Sequence, residues 1–117
     1  MKLVVKEDVF NFAEVFTISR GSRDKAHVLT VQIEDSGATG VGECVPYARY
    51  DETLHSVRTQ IETLPETFTR TALQHLLPPG AARNAVDCAL WDIEAKAKGK
   101  PVWELAGLEP PRPVITA

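Results

Sequence analysis

His27-Val-Leu-Thr-Val-Gln-Ile-Glu-Asp-Ser-Gly-Ala-Thr-Gly-Val-Gly-Glu-Cys44 reads as two strands joined by a turn. From His27 to Glu34 the residues alternate. His27, Leu29, Val31 and Ile33 fall on one side, with Val28, Thr30, Gln32 and Glu34 on the other. Period two places Leu29, Val31 and Ile33 on the buried face of a strand. Asp35-Ser36-Gly37 supplies turn chemistry, and Ala38 to Cys44 can pair back as a hairpin. Upstream, Leu3, Val4 and Val5, then Val9, Phe10 and Phe12, favour strand between interrupting charges. The expected result is a three-stranded antiparallel meander.

Downstream of Tyr50 the period changes. Leu54, Val57, Ile61 and Leu64 recur at helical spacing, with Asp51 or Thr53 placed to cap the start and Pro65 to end it. A shorter helix carries Leu73, Leu76 and Leu77 and stops at Pro78-Pro79-Gly80. The longest helix is expected from Ala81 to Lys98. Ala82, Val86, Leu90, Ile93 and Ala97 form its stripe, broadened by Ala85 and Ala89, with Gly99 at the left-handed C′ position. A last short helix from Pro101 to Ala106 precedes Gly107. Strands first and helices second make an α+β order, not βαβ alternation. The meander with its small helical bundle fills residues 1–109. Residues 110–117 begin Pro-Pro-Arg-Pro, a stiff linker, and end Val114-Ile115-Thr116, which reads as the start of another strand.

The 117 residues suit one domain, and 44 % hydrophobic with 25 % charged residues is ordinary globular usage. A net charge of −3 argues against a nucleic-acid binder. No segment is apolar enough to span a bilayer. Cys44 and Cys88 lack metal-ligand spacing, and charges interrupt the N-terminal apolar run, so a reduced cytoplasmic protein is expected.

Two segments could carry chemistry. The first is Arg20-Gly-Ser-Arg23, a small basic cluster between strands, sized for one or two carboxylates. A carboxylate clamp and a merely soluble polar hairpin are nearly level readings of it. The second runs from Gly40 to Thr53. Its glycines permit close backbone approach, and Pro46 stiffens the chain before Tyr47, Arg49 and Tyr50. A recognition loop of tyrosines and arginine is one reading. Half-buried packing is the commoner one. Glu43 reads better as a structural carboxylate than as a base. The helix carboxylates Asp87, Asp92 and Glu94 have no histidine partner for a metal, and Trp91 and Trp103 read as packing.

Taken together, Ile18-Ser-Arg20-Gly-Ser-Arg23, the Gly40-to-Thr53 run and Ala81-Ala-Arg83-Asn-Ala-Val-Asp87-Cys-Ala-Leu90-Trp91-Asp92, continued through Gly99, Pro101 and Gly107, resemble a known pattern. It is that of the N-terminal capping domain in the mandelate racemase and muconate lactonizing branch of the enolase superfamily. The Arg-Gly-Ser-Arg and Pro-Tyr-x-Arg-Tyr runs look most like its dipeptide epimerases, the L-Ala-D/L-Glu epimerase type. The resemblance implies a cap whose two mobile loops, around residues 19–25 and 46–52, close over a modified TIM barrel. Arg20 or Arg23 would contact a substrate carboxylate, and Tyr47, Arg49 and Tyr50 would shape the pocket. The family's reaction removes the proton α to a carboxylate with help from Mg²⁺. Its lysine acid–base pair and acidic ligands belong to the barrel, and this sequence offers no carboxylate triad to match them. The resemblance therefore implies a specificity cap that is inactive alone, in a parent enzyme that binds an acidic dipeptide and forms a homo-oligomer. Another racemase or a cycloisomerase of the superfamily, and a stand-alone α+β binding or self-association module, are the alternatives.

Overall fold

The computed structural model describes residues 1–116. Three antiparallel strands, β1 (Lys2–Ile18), β2 (Gly21–Asp35) and β3 (Ala38–Cys44), form a sheet in the order β1-β2-β3. Four helices follow: α1 (Leu54–Glu62), α2 (Arg70–Leu76), α3 (Ala81–Lys98) and α4 (Val102–Leu105). The α+β meander-and-bundle order is as the sequence implies. Residues 109–116 hold no regular secondary structure.

Alternation along β2 fixes the core. Leu29, Val31 and Ile33 are fully buried against Val57, Ile61, Leu73, Ala85, Val86 and Ala89 of the helices. α1 starts at Thr53, whose hydroxyl accepts from the Ser56 N–H while Ser56 returns a bond from the Thr53 N–H, a complete capping box. Asp51, the alternative cap, instead sits at φ 58° and closes a single 3-10 turn at Ala48–Tyr50. α3 spans the expected residues and ends on Gly99 at φ 61°.

The glycines of β3 explain how α3 lies against the sheet. A Cβ at Gly42 would stand 2.0 Å from the Ala85 carbonyl oxygen, and one at Gly40 would stand 2.1 Å from that of Ala89. The helix backbone therefore rests directly on the strand backbone, with Ile93 beside Gly40. This contact also covers the outer edge of β3. Asp92 accepts from the Val41 N–H at 2.8 Å, and Lys96 donates to the Thr39 carbonyl at 3.0 Å. Two ladder groups that would otherwise template another strand are thereby occupied.

Three details differ from the sequence reading. Ala97 is exposed and Ala95 is buried in its place. Leu76 is exposed while Leu73 and Leu77 are buried. The third concerns the first hairpin. β3 pairs with β2 only as far as Leu29–Cys44, whereas β1 and β2 stay paired to Ile18–Gly21. A two-stranded arm therefore overhangs the third strand, and its register shifts between Asn11 and Phe16. Val9, Phe10, Phe12, Val15, Phe16 and Ile18 lie on this arm and are all exposed.

Candidate functional site

The overhanging arm and the segment leaving β3 meet at one end of the sheet. The region 19–25, expected as a loop, is instead the end of the hairpin. Only Ser19 and Arg20 turn, and Gly21 onward is already strand. Pairing of Phe16 with Arg23, Thr17 with Ser22 and Ile18 with Gly21 extends order to the tip. A Thr17–Ser22 hydroxyl bond of 2.9 Å reinforces it.

At this tip Phe12, Phe16, Ile18, Val45 and Tyr47 line an open cleft of about 470 Å³, with Arg20 and Arg23 among its walls. The Arg23 guanidinium lies over the Tyr47 ring, 5.7 Å from its centre, within reach of a cation–π attraction. Tyr50 meets Tyr47 edge to face at 5.6 Å. Arg23, Tyr47 and Tyr50 thus form one contiguous group, and Arg20 also lines the cleft. Arg49 is exposed on the 3-10 turn and lines none of these walls. Among the described residues, none of Arg20, Arg23 and Arg49 has a carboxylate within 4 Å. The cleft therefore combines apolar walls with guanidinium charge that no internal carboxylate neutralises. That is the chemistry of a receptor for an anionic group on an apolar stem.

Sequence reasoning passed over Glu52. Its carboxylate accepts from the Ala81 N–H at 2.8 Å and from the Tyr47 N–H at 3.2 Å. It bridges the first turn of α3 to the segment that carries the tyrosines. The acidic residue before a helix cap was visible, but its partner lies 29 positions away and no local signal reports it. Glu43 shows the converse. It is exposed, because alternation turns it away from the face on which Gly42 and Cys44 meet the helices, and it forms no side-chain bond among the described residues. Cys44 is buried beside the cleft, and burial, with the nearby charge of Glu52, pushes its thiol up to about 11.

A second polar cluster ties α2 to α3. Arg70 places Nε and a terminal nitrogen on one oxygen of Glu94, each at 2.9 Å, while Lys98 takes the other at 2.6 Å. The same guanidinium stacks on Trp91, 3.5 Å from the ring centre. Trp91 thus packs as expected, but against a cation. The bonds from Lys98 and Arg70 hold the Glu94 carboxyl below its ordinary range. At Asp92 partial burial opposes ionisation, but the bonds from Lys96 and the Val41 N–H outweigh it and the carboxyl is also lowered.

Among the described residues, no three His, Cys, Asp or Glu side chains are grouped to hold a metal, and no helix is long and apolar enough to cross a membrane. The residues present do not fit a Mg²⁺ site, so no chemical step is assigned to a metal here.

Residues 1–107 match the family described as mandelate racemase / muconate lactonizing enzyme, N-terminal domain. The L-Ala-D/L-Glu epimerase of Escherichia coli K12 is 45 % identical over 117 residues, covering 97 % of this chain and 36 % of that protein. The N-acetyl-D-glutamate racemase of a Pseudoalteromonas species is 45 % identical over 84 residues, covering 67 % of this chain and 27 % of that one. An Agrobacterium tumefaciens enolase family member with homology to dipeptide epimerases, solved with sodium, L-Ala-L-Glu and an ordered loop, superposes with a TM-score of 0.89. It is 47 % identical over 97 % of this chain and 36 % of that one. The chain thus spans about a third of the length of such relatives. A meander with a helical bundle, matched by the family model along nearly all its length, makes this chain a mandelate racemase / muconate lactonizing enzyme N-terminal domain of the enolase superfamily.

Proposed function

We propose that residues 1–109 are the specificity cap of a dipeptide epimerase and that residues 110–117 lead into its barrel. The cleft carries this reading: Arg20, Arg23 and Tyr47 converge on a space with apolar walls and no internal carboxylate. A dipeptide with an acidic side chain fits such a space, its methylenes on Phe12, Phe16 and Val45 and its terminal carboxylate on a guanidinium. Arg23 is the better placed of the two arginines. Its contact with Tyr47 already restricts it, so less side-chain freedom is lost on binding. Tyr50 buttresses Tyr47, and Arg49 reaches the substrate only if the segment moves.

What this chain supplies is binding, orientation and exclusion of water over the reacting carbon. Proton transfer and the Mg²⁺ that would stabilise the enediolate belong to residues of the parent's barrel, so residues 1–117 alone should epimerise nothing. The two free cysteines favour a reducing, cytoplasmic setting. The exposed apolar arm favours a homo-oligomeric parent, or one in which the barrel covers it.

Similarity to an N-acetylglutamate racemase supports a second reading, because the same clamp would hold an N-acylated glutamate. The test is the protein encoded by the reading frame continued past Ala117, incubated in D₂O with L-Ala-L-Glu or N-acetyl-L-glutamate. Loss of the α-proton signal from the dipeptide, faster than from the N-acyl acid, supports the epimerase. The reverse order favours the racemase, and exchange of neither substrate overturns both.

A further inference from the structure

We infer that Glu52 is a positioning residue that sets the Tyr47 segment, and with it the Arg23 contact, by tethering that segment to the N-terminus of α3; its link to substrate rests on the function proposed above. α3 begins at Gly80, which has no side chain to cap the first turn. The carboxylate of Glu52 occupies that place from outside the helix, on the Ala81 N–H, where the helix dipole favours negative charge. Its second oxygen takes the Tyr47 N–H. The backbone N–H of the same residue reaches the Tyr47 carbonyl at 3.4 Å, which also accepts from the Tyr50 N–H at 2.9 Å. Glu52 therefore holds Tyr47 from both sides of its backbone.

The route onward is short. The Tyr47 ring carries the Arg23 guanidinium on one side and Tyr50 on another. α3 is in turn fixed to the sheet by backbone contact at Gly40 and Gly42. A rigid helix thus locates a surface segment, and that segment locates the cation of the hairpin tip. Glutamate suits this task because one carboxylate can accept two N–H groups from segments 34 residues apart in sequence, counting from Tyr47 to Ala81. Glutamine retains one accepting oxygen and turns a donor toward the second N–H, whereas alanine removes both.

The experiment uses the full-length protein with Glu52→Gln, Glu52→Ala and, as a control that uncaps a different helix, Thr69→Ala, whose hydroxyl caps α2 through the Ala72 N–H. Two signals are read: the Tyr47 amide proton by NMR, and the steady-state constants with L-Ala-L-Glu. Glu52→Ala should speed Tyr47 amide exchange at least about tenfold and raise KM about tenfold with kcat changed far less. Glu52→Gln should fall between it and the unmodified protein. Thr69→Ala should lower the melting temperature with KM unmoved. A Tyr47 amide unchanged in both Glu52 variants overturns the tether, as does a KM rise in Thr69→Ala equal to that in Glu52→Ala. An unmodified protein that turns over no dipeptide overturns the functional reading, while the amide signal, which needs no turnover, still supports or overturns the tether.

Discussion

Gly42 and Cys44 are neighbours on one face of β3, and each makes a prediction. Methyl addition at Gly42 would set a Cβ 2.0 Å from the backbone oxygen of Ala85, and a helix backbone cannot yield that far cheaply. Gly42→Ala should destabilise by about 3 kcal/mol or more, the upper end of overpacking costs, read as a fall in the urea midpoint. The sequence announced close approach at Gly40 and Gly42 but not what approaches, since Ala89 and Ala85 of α3 lie more than 40 positions downstream. The site shows the same division. Arginine and tyrosine types were legible in the two runs, and Arg23, Tyr47 and Tyr50 do meet. Arg49 was not separable from them by residue type, yet it is exposed on the 3-10 turn and lines no wall of the cleft. Cys44, raised to about 11, stays a thiol at pH 8. Iodoacetamide should label exposed Cys88 first, with Cys44 modified only as the chain unfolds, as peptide mass spectrometry would report.

Among the elements, α3 organises the rest. It seats on β3 by backbone contact, closes the edge of β3 with Asp92 and Lys96, and receives α2 through Arg70 and Glu94. Its limits were legible because capping and termination are local: Pro78-Pro79-Gly80 before it, Gly99 after it. Its buried face was less so. Periodicity continues to Ala97, but that residue is exposed and Ala95 is buried instead. The lowered carboxyls of Asp92 and Glu94 give a pH prediction. Their folded pKa values lie below the unfolded ones, so in the interval between them the unfolded chain binds more protons and stability rises with pH. The stabilisation is complete above the ordinary carboxylate range and is lost as pH falls through the folded values. Thermal melts from pH 7 to pH 3 should therefore show a smaller acid-induced loss for the Asp92→Asn/Glu94→Gln double variant than for the unmodified chain. Parallel curves would contradict this.

For the molecule as a whole, the decisive feature is the overhang of β1 and β2 beyond β3. The sequence presented Val9, Phe10 and Phe12 as strand-favouring residues between charges. Within residues 1–116 nothing covers them, with Phe10 53 % and Phe16 60 % exposed. An apolar arm of this kind drives association. Isolated residues 1–117 should form dimers or larger species in light scattering as concentration rises, and charged substitutions at Phe10 and Phe16 should return the chain to monomer. A monomer at all concentrations would count against the arm as a contact surface. The order of strands then helices was legible because the two periods separate cleanly at Tyr50. The length of the arm was not, because pairing beyond the third strand leaves no burial pattern to read.

The proposed function depends on the arginines at the tip of that arm. The most direct measurement is the steady-state kinetics of the full-length protein with L-Ala-L-Glu, for Arg20→Ala and Arg23→Ala singly. Arg23→Ala should weaken dipeptide binding by about 2–5 kcal/mol, the range for truncating one partner of a charge pair buried on closure, with a smaller effect at Arg20. Unchanged constants in both variants would contradict it, and the cleft would then be a solvated surface instead of a carboxylate clamp.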